Sequence, residues 1–141
     1  MPWSFFNSSG ELLVQHAESE ATQAEMEAET AGAKFVPPDL IKYSPGVAKV
    51  WCRILANGTL DQPDYNVASV TDTGTGDRTI NYTTDFSDIS YGAVSSCSID
   101  VDNGSTPALL TYAVGSIRLL IKNSSGTDID EIGGVVICGD Q

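Results

Sequence analysis

The sequence predicts a mainly β protein: an antiparallel β-sandwich of jelly-roll-like type over residues 41–141, preceded by an N-terminal extension, residues 1–40, that holds a short helix. Three observations lead there. Beyond residue 40 the chain turns to Thr, Ser, Val, Ile, Tyr and Gly in short runs, the composition of strands. Turn chemistry separates the runs, at Asn57-Gly58, Gly74-Thr75-Gly76, Asn103-Gly104 and Ser125-Gly126. No stretch among them has a helix-length period, which sets aside a parallel α/β sheet.

Residues 1–10 carry Trp3, Phe5 and Phe6 ahead of a polar Asn-Ser-Ser-Gly break. So short a segment makes no core of its own, so the aromatics either tuck onto the protein's own core or anchor the chain to another subunit. Residues 11–31 are rich in helix formers. Ser19 or Thr22 can cap a helix, and Thr22 with Glu25 three residues on fits a capping box. Its apolar members, Ala21, Ala24, Met26 and Ala28, are mostly small, so it buries too little to stand alone and needs a partner surface. Pro37-Pro38 and Pro45-Gly46 mark a linker in which Phe35, Val36, Leu40 and Ile41 pack rather than dangle.

Strands are expected at Val47–Ala56, Tyr65–Thr71, Arg78–Thr84, Tyr91–Ile99, Leu109–Ala113, Ser116–Lys122 and Gly134–Cys138. In the first, Val50, Cys52 and Ile54 form one face and Lys49, Trp51, Arg53 and Leu55 the other.

Charge and composition limit function. At −12 the chain repels nucleic acid and anionic membranes, so no nucleic-acid partner and no membrane insertion are expected. No basic, apolar leader and no membrane-length run is present, so synthesis in a cytoplasm is expected. A single histidine, His16, leaves nothing for a catalytic triad or a multi-histidine zinc site. Cys52, Cys97 and Cys138 are odd in number and lie in apolar or small-residue contexts, which suits buried free thiols. Asp100 to Gly104 opens like a calcium loop but lacks the downstream glutamate, and Gly74-Thr75-Gly76 lacks the Lys-Ser/Thr of a phosphate cradle. Asp61, Asp64, Asp85 and Asp88 supply carboxylates for glycoside hydrolysis only if two converge. The expectation is therefore no enzyme, no metal and no cofactor.

Two stretches resemble a bacteriophage family. Ala21 to Ala28 (ATQAEMEA), running on to Lys34-Phe35-Val36-Pro37, is similar to a segment of tail-fibre and tail-collar proteins. Ser44 to Trp51 (SPGVAKVW) and Tyr65 to Thr84 (YNVASVTDTGTGDRTINYTT) resemble a module of tail-fibre and other virion structural proteins. Glu29 stands where the family often has glycine, and Pro37-Pro38 where it has Thr-Pro. The resemblance implies a virion protein and a homotrimer, a tail-fibre subunit that docks to the tail through Trp3, Phe5 and Phe6 and presents sandwich loops to a host-surface glycan or protein. The trimer interface would then hold Ala21, Ala24, Met26, Ala28, Phe35 and Val36, burying apolar surface at roughly 25 cal/mol per Å². Three copies of a −12 chain carry −36, so that charge must face outward. A capsid decoration or head-fibre protein is the alternative, and a carbohydrate-active enzyme a more distant one.

Overall fold

In the computed structural model, residues 3–6, 8–9, 12–16, 20–30, 32, 34–98 and 104–141 are described. The chain divides into two compact units, residues 1–44 and 45–141.

The first unit opens with a hairpin, β1 (Trp3–Phe6) paired antiparallel with β2 (Leu12–His16) across a turn at Ser8 and Ser9. Residues 12–16 lie in the tract rich in helix formers, ahead of the expected caps, yet form a strand. A strand partner within reach of Leu12-Leu13-Val14 overrides weak helix propensity. A helix does follow, but only as α1 (Gln23–Glu27), and none of its residues is buried. Thr22 and Glu25 close the capping box: the Glu25 N–H donates to Thr22 Oγ1 at 3.3 Å, and the Thr22 N–H donates to Glu25 Oε2 at 2.9 Å. The helix ends at Ala28, and Glu29 takes φ 53°. The Ala21 N–H donates to the Phe35 carbonyl at 2.9 Å. A 3-10 helix, Pro38–Tyr43, then packs against α1.

The second unit is a sandwich of two four-stranded antiparallel sheets. The first sheet has the order β4 (Leu60–Tyr65), β3 (Ala48–Ile54), β10 (Gly133–Cys138), β7 (Gly92–Cys97). The second has the order β5 (Val67–Gly74), β6 (Asp77–Tyr82), β9 (Ser116–Lys122), β8 (Thr106–Ala113). Segment β7 to β10 is one rolled hairpin, with β8 paired to β9 in one sheet and β7 to β10 in the other, the device that builds a jelly roll.

Alternation dictates the core. Val50, Cys52 and Ile54 point inward from β3, and Val135 and Ile137 from β10. Ile80 and Tyr82 from β6 and Ile117, Leu119 and Ile121 from β9 meet them. Gly133 allows the close approach, since a Cβ there would lie 2.8 Å from Leu119 Cδ2. Tyr82, Phe86 and Tyr91 fill one end, where Phe86 stacks on Tyr91 at 4.4 Å between ring centroids. The Tyr91 hydroxyl donates to the Ala113 carbonyl at 2.9 Å.

Most expected strands appear with shifted ends. The expected strand Tyr65–Thr71 appears as β5, and an unexpected strand, β4, precedes it; Asn66 at φ 59° between them turns the chain from one sheet to the other. Asn66 also ties that corner down: its Oδ1 accepts from the Thr84 N–H at 2.7 Å, and its Nδ2 donates to the Thr84 carbonyl at 3.1 Å. The glycine loop shrinks to a turn at Thr75-Gly76, since β5 runs through Gly74. The calcium-like stretch from Asp100 lies largely outside the described residues.

At the end of the core away from the aromatics, Arg78 points inward from β6 and is wholly buried. Its Nη2 donates to the Ala56 carbonyl at 2.5 Å and to Asp130 Oδ1 at 3.1 Å, and its Nη1 to the Glu131 carbonyl at 3.3 Å. Asp130 Oδ1 also accepts the Gly76 N–H at 2.7 Å. A Cβ on Gly76 would sit 2.6 Å from the carbonyl oxygens of both Ile121 and Ile129.

Arg78→Ala should lower unfolding free energy by about 2–5 kcal/mol, because it leaves a void and takes the donor from the Ala56 and Glu131 carbonyls. Arg78→Lys should lose much of the same amount, lacking the planar fork. Denaturant unfolding of the two variants checks both.

Hydrogen bonds from Lys34 and Thr22 hold the Glu25 carboxyl down at about 2, below its ordinary 4.5. Its contribution to the cap is full above pH 4.5 and is lost as pH falls through 2. NMR titration should place the midpoint near 2, and Lys34→Met should move it back toward the ordinary range.

Candidate functional site

Pairing across the first sheet lines up its outward side chains. Tyr65 stands opposite Trp51, Trp51 opposite Val136, and Val136 opposite Val94. Each is exposed: 47%, 38%, 48% and 73% in that order. One apolar row therefore crosses all four strands on the solvent side. A contiguous exposed apolar run marks an interaction surface, where isolated exposed valines would not.

The next row runs Asp61, Arg53, Gly134, Ser96. Arg53 Nη1 and Asp61 Oδ2 pair at 2.5 Å. Gly134 supplies the low floor between them and Ser96, since a Cβ there would approach Ser96 Oγ to 3.0 Å and the Cys52 carbonyl to 3.4 Å. The result is a shallow groove of about 480 Å³ running over β3, β10 and β7. Its walls offer an indole face, valine methyls, serine hydroxyls and one neutralised ion pair. That chemistry suits apolar contact with an extended or flat surface.

The acidic residues weighed for catalysis are tied up locally. Asp61 pairs with Arg53, Asp64 accepts a bond from the Gln62 side chain, and Asp88 Oδ1 accepts the Ser90 N–H at 2.6 Å. Asp85 lies against Gly115, where a Cβ would be 2.9 Å from its Oδ1. On the outer face of the second sheet, the Arg118 guanidinium donates to both oxygens of Asp77 and holds that carboxyl below the usual carboxylate range. Among the described residues no group of three or more His, Cys, Asp or Glu side chains gathers as a metal site.

The residues expected to dock or assemble lie in the first unit. Trp3, Phe5 and Phe6 sit on β1, with backbone partners His16, Val14 and Leu12; their side chains are outside the described set. Ala21 is buried within its own unit. Ala24 and Ala28 are exposed, and Met26 and Val36 half-buried. Phe35 is 55% exposed. The structure brings Ala21 and Phe35 together through the bridge Glu20–Phe35 and the bond from the Ala21 N–H to the Phe35 carbonyl.

Sequence reasoning put Trp51 and Arg53 on a face opposite the core and stopped there. Val136 hides in Val135-Val136-Ile137, a run with no alternation, so only its strand partners reveal that it faces water. Val94 becomes informative only once β7 is known to pair with β10.

No family model, curated protein or solved structure matches this chain.

The three cysteines are free thiols. Burial, helped by the negative charge of Asp64, pushes the Cys52 thiol up to about 11. Near pH 8 roughly one Cys52 thiol in a thousand is ionised. In the native protein Cys52 should therefore resist iodoacetamide, reacting only after denaturation. Mass mapping of the labelled peptides checks this.

Proposed function

We propose that the chain is a structural subunit of a bacteriophage virion appendage, of the tail-fibre type. It assembles as a homotrimer, joins the particle through its first forty residues and turns the sandwich loops toward a host-surface glycan or protein. The protein makes no covalent change in what it touches.

The observation that carries this reading is the thinness of the first unit. It folds as a body separate from the sandwich, yet its helix has five residues and buries none of them. Phe35 and Ile41 remain 55% and 48% exposed. A helix so short is marginal in water unless another surface covers it. Sister chains and a particle protein supply such a surface. The second unit complements it: a rigid sandwich with tight turns is a suitable carrier for contact loops. The resemblance of Ala21–Ala28 and Tyr65–Thr84 to phage virion modules supports the same assignment.

Light scattering of the purified chain should return the mass of three copies; a stable monomer overturns the trimer. Deleting residues 1–10 should abolish incorporation into particles while the thermal transition of the sandwich stays where it was. Normal incorporation of the truncated chain would overturn the docking role of Trp3, Phe5 and Phe6.

A further inference from the structure

The geometry points to the free edge of β7 as a docking site for an extended segment of another protein. That segment has an uncharged, β-branched centre and basic ends, and it adds to the first sheet as a fifth strand. The inference stands apart from the virion reading.

Four strands end the two sheets, and three of them are blunted. β4 carries Asp61, Pro63 and Asp64, and its ladder with β3 is irregular. β5 carries Asp72 and two breaks in register. β8 carries Pro107 and one break. Charge, proline and bulges are the usual means of stopping a strand from pairing further. β7 has none of them. Gly92-Ala93-Val94-Ser95-Ser96-Cys97 contains no charged residue and no proline, and its six pairs with β10 run without a shift.

Among the described residues no further strand is hydrogen-bonded to this edge. The Ser98 N–H donates to the Ile132 carbonyl at 2.8 Å, which sets the phase of the ladder. Ser98, Ser96, Val94 and Gly92 thus turn their backbone groups to β10, and Ala93, Ser95 and Cys97 turn theirs outward. An incoming strand would bond to those three. Its solvent-side residues would lie beside Val94 and prolong the row Tyr65–Trp51–Val136–Val94, which now stops at the most exposed member. Backbone bonds supply affinity and the side-chain row supplies selectivity, the logic of strand addition.

Charge selects the occupant. Glu131 accepts the Ser98 hydroxyl proton at 2.7 Å at one end of β7. Asp88 and Asp140 stand near the Gly92 end, where the Ser87 N–H donates to the Asp140 carbonyl at 3.0 Å. Arg53 on this face is held by Asp61, and Lys49 is buried. A strand with lysine or arginine at both ends complements the edge. A second copy does not: a symmetric pair of β7 strands must run antiparallel, which sets Glu131 of one chain beside Asp88 and Asp140 of the other.

The test uses the full chain and a fluorescent synthetic peptide of alternating valine and threonine with a pair of lysines at each end. Anisotropy should show saturable binding that weakens as salt rises. Val94→Lys, a change at an exposed position, should weaken binding about tenfold or more. Ser95→Pro, which removes an outward N–H, should abolish it, with thermal melting confirming the fold. A matching peptide with glutamates at its ends should not bind. Absence of saturable binding, equal binding by Val94→Lys, or equal binding of the glutamate peptide would overturn the inference. So would a fall in the mass of the peptide-free protein on Val94→Lys, which would mean that a second copy fills the edge.

Discussion

The sandwich depends on a buried guanidinium. Taking a charge out of water costs several kcal/mol, so Arg78 can lie inside only where its fork is met by acceptors. The acceptors come from two places, Ala56 after β3 and Asp130 with Glu131 in the crossover from β9 to β10, and the Gly76 N–H joins by donating to Asp130. These segments belong to both sheets and to the passage between them. One side chain therefore fixes the relative height of the sheets at that end. It also explains why Gly76 admits no side chain, since the crossover at Ile129 passes directly against it.

The opposite end uses different means for the same purpose. Tyr82, Phe86 and Tyr91 close the core with ring contacts, and the Tyr91 hydroxyl reaches the turn between β8 and β9. Burial, then the hydrogen bond with Tyr91, raises the Tyr82 hydroxyl far above its ordinary value. The Tyr82 hydroxyl therefore stays neutral in that end of the core. Between the two ends the sheets meet through aliphatic side chains, so register is set polar at one end and aromatic at the other.

The β architecture was legible because alternation and turn chemistry are local. Val50, Cys52 and Ile54 declare a half-buried strand, and Asn57 declares its turn, where its Oδ1 accepts the Thr59 N–H at 3.1 Å. What stayed hidden was set by partners distant in sequence. Leu12 to His16 lie in a tract of helix formers but pair as a strand. Leu60 to Tyr65, with a proline and two aspartates, reads as loop and is a strand because it needs only one neighbour. The capping box was legible in full, since both its groups lie within one turn. The apolar row was not, because its four members come from four strands that only pairing brings together.

Charge distribution links the two proposed association surfaces. A chain at −12 repels copies of itself and most acidic proteins, so stable contact must form where carboxylates are absent or neutralised. Residues 1–10 contain no charged side chain, and β7 contains none either. Elsewhere carboxylates stand close to the turns, at Asp72, Asp77, Asp128 and Asp130, where they hold backbone and arginine or lysine groups in place. Carboxylates near the turns thus also hold them, and the uncharged stretches, of which residues 103–117 are the longest, are segregated from them. Segregation of this kind restricts which partners can approach and in which orientation. A basic-ended strand meets attraction at both ends of β7 and no repulsion along it, whereas an acidic one is turned away before its backbone can register.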